Sequence, residues 1–222
     1  LHAAVHRAET LRDAMDPNEP DFADRRAYYR AVVIVCRAVV AFAGRFADLA
    51  ESLAASETNP GRRTELLEIA AICRKVPGEP AATFWEALQA FWFIHLVLHL
   101  EANGHSMSPG RFDQYMYPWF RRNLDRGELG ESQAAELLDC LWLKFFEINK
   151  IRDRVSSVAF GGYPMFQNLI LGGQTPDGTS AVNELSHLCL EATARVGLPQ
   201  PSLSVRWYFG SDERFVRHAM EV

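Results

Sequence analysis

The sequence lacks the marks of a membrane protein and of a nucleic-acid binder. Its longest apolar run, residues 87–100, is interrupted by Gln89, His95 and His99, so it is too short and too polar to span a bilayer. The residues after Leu1 contain no apolar segment of the kind found in signal peptides. The formal net charge of −5 excludes a general nucleic-acid binder, because phosphate binding needs a basic surface. We therefore expect neither a membrane nor a nucleic acid as a partner.

Cysteine is also scarce. The 222 residues include four cysteines, Cys36, Cys73, Cys140 and Cys189, which lie far apart in apolar stretches with helical spacing. This pattern is typical of reduced thiols and not of a disulfide framework. It predicts a cytoplasmic location.

What the sequence does have is an ordinary globular composition, with 48% apolar and 23% charged residues. A chain of this length can bury a real core. It starts at Leu1 and stops at Val222 inside an expected helix, which Ser211 would cap. These ends predict a piece of a longer protein.

Helical periodicity dominates the first 150 residues. The predicted helices span residues 26–55, 64–75, 83–101, 115–124 and 131–151. The third of them is apolar nearly all round, which predicts that it is buried. Thr83 and Glu86 have the spacing of a capping box at its start.

The period changes in the last part of the chain. Residues 166–171 and 201–208 have the pattern of short strands, and residues 181–195 between them have helical spacing. With the helix expected after Ser211, the order is strand, helix, strand, helix. This order predicts a parallel α/β unit.

The polar loop Asn103–Pro118 is the strongest candidate for chemistry, because it presents many functional groups at the end of a long helix. His105 can exchange protons near neutral pH, and Ser106 can bind a substrate hydroxyl. Consecutive side chains point apart, which favours substrate holding and proton transfer over a serine nucleophile. A hydrogen-bonded turn with no role in chemistry is the alternative. Arg111 and Asp113 are assigned to structure, as an ion pair or a helix cap.

A metal site is not predicted. His95 and His99 share a helix face, as metal ligands do, but no third ligand stands at a suitable spacing. Buried histidines bonded to a backbone carbonyl or a carboxylate are the favoured interpretation.

Two glycine-containing segments remain open. Residues 172–178 follow a predicted strand, yet they lack both the lysine of a phosphate-binding loop and three spaced glycines, so a strand end with a turn is favoured. Tyr163 lies among glycines before the same strand and is a candidate pocket residue.

Seven blocks carry a family resemblance. They are Pro80–Gln89, Asn103–Pro118, Leu137–Lys144, Gly161–Leu169, Gly172–Gly178, Asn183–Leu185 and Gln200–Arg206. In this order, and over nearly the whole chain, they resemble the glycyl radical enzymes, the pyruvate formate-lyase family.

The resemblance implies a fold, which is a ten-stranded α/β barrel of two five-stranded halves wrapped in helices. Residues 1–222 would form part of it, mostly helical with a few barrel strands. Residues 1–151 would be a helical layer and residues 152–222 a strand–helix–strand–helix part of the barrel.

The resemblance also implies radical chemistry on a small-molecule substrate. In the parent enzyme a radical-SAM, iron–sulfur activating enzyme installs a glycyl radical, which passes to a cysteine thiyl that takes a hydrogen atom from the substrate. The full-length parent is implied to be a homodimer.

Two segments imitate the radical motifs without matching them. Cys189 and Glu191 have the spacing of the family's Cys-x-Glu, but Leu188 stands where the family has glycine. Arg195-Val-Gly197 resembles the start of the radical-glycine motif with the wrong spacing. We therefore expect both radical residues to lie outside this chain, which alone would bind no cofactor and be inactive.

Within the family, Gly104-His105-Ser106 resembles the B12-independent glycerol and propane-1,2-diol dehydratases. The resemblance implies that His105 and Ser106 bind substrate hydroxyls, that His105 assists loss of water and that Tyr163 lines the pocket. Choline and isethionate lyases and formate acetyltransferase are alternatives in the family. A non-catalytic helical interaction module is the alternative outside it.

Overall fold

The computed structural model describes residues 1–161 and 165–222. These residues form two compact units, one made of residues 1–82 and 89–94 and the other of residues 83–88 and 95–222. Among the described helices, none combines the length and the apolarity that a membrane crossing needs.

Helices make up most of the described chain. They are α1 His2–Asp13, α2 Phe22–Ser56, α3 Pro60–Lys75, α4 Phe84–Glu101, α5 Phe112–Tyr115, α6 Tyr117–Asp125, α7 Glu131–Glu147, α8 Arg154–Phe160, α9 Glu184–Val196 and α10 Glu213–Glu221. The strands are β1 Asn168–Gly172 and β2 Ser202–Arg206.

The first unit is built around the 35-residue helix α2. Buried alanines recur along one face of this helix, at Ala43, Ala47, Ala50 and Ala54. Small side chains at this spacing let α3 pack closely against α2. Ala43 and Ala47 join Cys73 of α3 and Phe93 in one buried cluster.

Helix α4 begins as the sequence predicts. Thr83 accepts a hydrogen bond from the Glu86 amide, and the Glu86 carboxylate accepts one from the Thr83 amide, which completes the capping box. In the second unit the helix start is fixed further, because the Phe84 amide donates to the buried Asn123 side chain over 2.5 Å.

The second unit contains the predicted parallel strand pair. β1 and β2 run parallel with Leu169 opposite Leu203. Leu169 and Leu171 of β1 are fully buried, so the strand forms part of the core. α9 connects the two strands, and the predicted parallel α/β unit is confirmed.

Several predicted boundaries were wrong for local reasons. β1 begins at Asn168 and not at residue 166, because Phe166 has a left-handed φ of 57° that no strand residue adopts. β2 is confined to Ser202–Arg206 within the predicted 201–208. The helix predicted at 131–151 ends at Glu147. The one predicted at 115–124 is α6, Tyr117–Asp125, and Tyr115 belongs to the short α5 before it.

The cap predicted for the last helix was also misplaced. Asp212 caps α10 by accepting from the Arg214 amide over 3.0 Å. Ser211 instead accepts from the Tyr208 amide over 2.8 Å and closes the turn before the helix. Both residue types suit a cap, so the pattern alone does not choose between neighbours.

Candidate functional site

The loop after α4 is shaped by left-handed residues. Asn103, Gly104 and Ser106 have φ values of 48°, 69° and 54°. The Gly104 amide donates to the His99 carbonyl over 2.7 Å, which closes the helix end. Position 104 requires glycine, because an added Cβ would lie 2.2 Å from the Met165 methyl carbon in a backbone conformation that other residues rarely adopt.

Asn103 fastens this loop to the segment that follows α7. Its side-chain amide donates to the Ile151 carbonyl over 2.9 Å, and its oxygen accepts from the Ile151 amide over 3.1 Å. This two-way contact joins positions 48 residues apart. The loop and the segment are thereby held side by side.

A cavity of about 380 Å³ lies between these two segments. Its lining is mixed, with polar groups from the loop and from the 150–156 segment and apolar groups from the residues near β1. The lining residues are Asn103, Gly104, His105, Ser106, Lys150, Ile151, Arg152, Asp153, Ser156, Phe160, Met165 and Phe166. A mixed cavity of this size can hold a small polar molecule.

His105 and Ser106 both line this cavity and are both exposed. The Nδ1 atom of His105 lies 3.0 Å from the Nζ atom of Lys150. A lysine ammonium only donates, so Nδ1 is the acceptor and the hydrogen of a neutral ring sits on Nε2. The site therefore combines a ring N–H donor, a hydroxyl and an ammonium. Tyr163, the third predicted site residue, lies outside the described residues.

Arg111 and Asp113 serve structure, as predicted, through hydrogen bonds around the end of β1. Arg111 donates to the Gly172 carbonyl over 2.9 Å and to the Gln174 carbonyl over 3.2 Å. Asp113 is fully buried and accepts from the Gly172 amide over 2.7 Å and from the Ser186 hydroxyl over 2.6 Å. Together they hold the end of β1.

Burial and hydrogen bonding act in opposite directions on Asp113. Removal from water raises the pKa of this carboxyl, because burial penalises the charged form. The bonds from Gly172 and Ser186 lower it and offset part of that effect. One oxygen, Oδ2, accepts both bonds, which fits an anchor of the fold.

The glycines of residues 172–178 do not form a phosphate cradle. Gly172 ends β1, and its amide is already bound by Asp113. A Cβ at Gly172 would lie 2.9 Å from the Phe215 ring, and one at Gly173 would lie 3.0 Å from Arg206 Cβ. The predicted strand end followed by a turn is confirmed.

His95 and His99 are buried and hydrogen-bonded, as favoured from the sequence. His95 Nε2 lies 2.9 Å from Gln167 Oε1, and His99 Nε2 lies 3.2 Å from the Met107 carbonyl. Burial lowers the pKa of His95 to about 4 and also lowers that of His99, so both rings are neutral near pH 7. Within residues 1–161 and 165–222, no group of three or more histidine, cysteine or acidic side chains could hold a metal ion.

Sequence reasoning missed Gln167 and Lys150. The Gln167 amide nitrogen donates to the Phe145 carbonyl over 2.8 Å, which fixes its oxygen as the acceptor for His95. Lys150 reaches His105 across 45 residues. The one available signal was the charged run Lys150-Ile-Arg-Asp153, which spans the end of the helix predicted at 131–151.

The two imitations of radical motifs have structural roles. Cys189 is fully buried within α9, and burial raises the pKa of its thiol well above the usual value. Gly197 has a φ of 62° and ends α9 in the left-handed conformation typical of a helix C-terminus. A buried helical thiol and a glycine needed for a helix end both have a structural explanation, so neither gives evidence of a radical centre.

Comparison with known proteins assigns the family. The description "Pyruvate formate lyase-like" matches residues 2–222, and the chain belongs to this family. A protein named probable dehydratase YbiW of Escherichia coli is 40% identical over all of this chain and 30% of its own length. An isethionate sulfite-lyase of Oleidesulfovibrio alaskensis is 39% identical over 93% of this chain and 25% of its own.

Solved structures confirm the predicted fold. One solved structure is described in terms of 1,2-propanediol dehydration in Roseburia inulinivorans, and its sequence is 44% identical to this chain. The two superpose with a TM-score of 0.95, over 99% of this chain and 26% of the other. The glycerol-bound B12-independent glycerol dehydratase of Clostridium butyricum is 43% identical, with a TM-score of 0.93 over 99% and 28%. A glycyl radical enzyme of Archaeoglobus fulgidus is 38% identical, with a TM-score of 0.92 over 98% and 28%.

The chain therefore has the fold of part of a glycyl radical enzyme barrel. It spans between 25% and 30% of the length of the relatives named above. The family implies a protein radical.

Proposed function

We propose that the parent of this chain is a glycyl radical dehydratase that removes water from a small diol such as propane-1,2-diol or glycerol. The observation that carries the proposal is the cavity of about 380 Å³ whose lining includes both His105 and Ser106. Its mixed lining offers hydrogen-bonding groups to a small polyol, and its volume leaves room for one. Likeness to structures described by propanediol and glycerol dehydration supports the same substrate class.

In this proposal, His105 and Ser106 each bind one of the two substrate hydroxyls. His105 hydrogen-bonds the departing hydroxyl through Nε2 and donates its proton as general acid. Ser106 binds and orients the neighbouring hydroxyl. Tyr163 forms part of the pocket wall, a role that rests on the sequence alone.

The radical itself comes from elsewhere in the parent. A radical-SAM, iron–sulfur activating enzyme is the proposed partner that installs it, and the parent is proposed to be a cytoplasmic homodimer. When present, the radical supplies hydrogen-atom abstraction. We propose that the thiyl cysteine and the radical glycine lie outside residues 1–222; the burial of Cys189 within α9 and the position of Gly197 at the end of that helix agree with this.

A second candidate function comes from the relatives. Identity to an isethionate sulfite-lyase is 39%, nearly the 40% found for the probable dehydratase. A carbon–sulfur lyase releases sulfite, an anion that does not need the proton that a departing hydroxyl needs. Choline cleavage and formate acetyl transfer are the further family alternatives.

A substrate panel tests the proposal. The full-length enzyme is activated anaerobically, its radical is measured by electron paramagnetic resonance, and it is offered propane-1,2-diol, glycerol, isethionate, choline and pyruvate with coenzyme A. We expect an aldehyde product from a diol at a rate at least tenfold above the other substrates. Sulfite release from isethionate as the fastest reaction would contradict the dehydratase assignment.

A further inference from the structure

Lys150 lies next to His105 in the candidate site. Its Nζ atom lies 3.0 Å from His105 Nδ1, and both side chains line the same cavity as Ser106. Lys150 follows α7 by three residues, next to Ile151, whose backbone Asn103 holds from both sides. The contact between Asn103 and Ile151 therefore positions both Lys150 and the loop that carries His105.

The other charged residues of the cavity are engaged elsewhere. Asp153 accepts from the Val155 and Ser156 amides at the start of α8. Arg152 donates to the Phe160 carbonyl over 3.1 Å, and its guanidinium lies 5.4 Å from the centre of the Phe160 ring. Lys150 thus remains the cation that contacts His105.

This contact determines which nitrogen of His105 can donate. A lysine ammonium has three donors and no acceptor, so it can bind Nδ1 only when that nitrogen carries no hydrogen. The ring then carries its hydrogen on Nε2. A doubly protonated ring would lose the hydrogen bond and would place two cations 3.0 Å apart.

We propose that Lys150 is a positioning residue and proton source for His105, an inference that rests on the proposed dehydratase function. As the substrate C–O bond breaks and its electron pair leaves with oxygen, the hydroxyl takes the Nε2 hydrogen of His105 and becomes water. At the same time Nδ1 takes a hydrogen from Lys150. Two N–H bonds break, one N–H and one O–H bond form, and Lys150 is left as a neutral amine. The starting state returns when Nε2 takes a proton from solvent and Nδ1 gives its hydrogen back to Lys150.

Three variants of the activated full-length enzyme test the relay. Lys150→Arg keeps a cationic donor, but a guanidinium does not release its proton. We expect it to keep KM within about twofold while kcat falls at least tenfold, since a positioned proton donor contributes on the order of a hundredfold or more. Lys150→Met removes both functions and should lower kcat further and raise KM. Lys144→Met, which removes an exposed lysine paired with Glu147 on α7, is the matched control and should leave both constants unchanged.

Each rate is divided by the radical content of the same sample, so a loss of activation is not counted as a loss of catalysis. A Lys150→Arg enzyme with the kcat of the wild type overturns the relay, whatever Lys150→Met does. A rise in KM alone, with kcat retained, also overturns it. Failure of the wild-type enzyme to dehydrate any diol refutes the proposed function and is seen before any Lys150 variant is compared.

Discussion

Single side chains in this protein take their properties from partners that are distant in sequence. His95 meets Gln167, 72 residues further along the chain, and His105 meets Lys150, 45 residues away. One ring is buried and made neutral by its surroundings, whereas the other is exposed and held in one tautomer by an ammonium. The same residue type is thus a buried, hydrogen-bonded part of α4 and, one loop later, an exposed residue that lines the cavity.

Burial of His95 predicts a stability that depends on pH. Its pKa falls from 6.5 in the unfolded chain to about 4 in the folded one, so the unfolded state binds more protons between these values. The free energy of unfolding should therefore rise from about pH 4 to pH 6.5 and then level off. This residue accounts for about 3 kcal/mol of that rise, because a pKa difference of one corresponds to about 1.36 kcal/mol. The measurement is the free energy of urea unfolding as a function of pH.

The matched variant for this prediction is His95→Gln, which can still donate to Gln167 but does not titrate. Its unfolding free energy should change less between pH 4 and 6.5 than that of the wild type. His99 and His187, whose pKa values are also lowered, leave part of the slope in place. An identical slope in the variant and the wild type would show that His95 is not the group responsible.

We predict that truncation of the Asp113 side chain causes a large loss of stability. Asp113→Ala leaves the Gly172 amide and the Ser186 hydroxyl buried without their acceptor, which costs about 2–4 kcal/mol. Asp139→Ala is the control, since it removes a partly exposed pair with Arg195 that is worth at most about 1 kcal/mol. Equal losses in the two variants, measured by chemical denaturation, would contradict the anchoring role.

At the scale of elements, the end of β1 is where several parts of the second unit meet. Arg111 and Asp113 bind it from the α5 side, and Phe215 of α10 packs against Gly172. The strand end is thereby fixed by contacts with both helices. Such a junction tolerates little added volume.

Two glycines with positive φ test this junction. Gly172 and Gly178 have φ values of 68° and 82°, but a Cβ meets the buried Phe215 ring only at Gly172 and open space at Gly178. Gly178→Ala should cost the left-handed penalty of about 1–2 kcal/mol. Gly172→Ala should cost about 1–3 kcal/mol more, because Phe215 must move.

Thermal and urea unfolding of the two alanine variants give this difference directly. A Gly172→Ala protein as stable as Gly178→Ala would mean that the Phe215 contact does not constrain the strand end. The comparison cancels the backbone term, since both residues are left-handed. It therefore isolates the packing of α10 on β1.

Elements with a strong local signal were predictable from the sequence. The capping box of Thr83 and Glu86 and the alternation within residues 201–208 are set by neighbours in the chain, and both elements were found. The cavity was not predictable in the same way. Its Lys150 and its closure by Asn103 depend on tertiary contacts, which no local pattern records.

At the scale of the whole molecule, the chain matches one portion of longer relatives. It has the fold of the pyruvate formate lyase-like family over nearly all of its length but spans 25–30% of the relatives compared above. Its contribution to the proposed active site is one wall, the loop that carries His105 and Ser106. The substrate is proposed to bind between that wall and parts of the parent beyond residues 1–222.

The most direct test is the rate of aldehyde formation from propane-1,2-diol by the activated full-length enzyme with His105 intact or changed to alanine. With equal radical content in both samples, we predict a drop in kcat of about a hundredfold or more in His105→Ala, because the departing hydroxyl loses its proton donor. Diol turnover at the wild-type rate by His105→Ala would contradict the assignment of this cavity as the wall that binds the leaving hydroxyl.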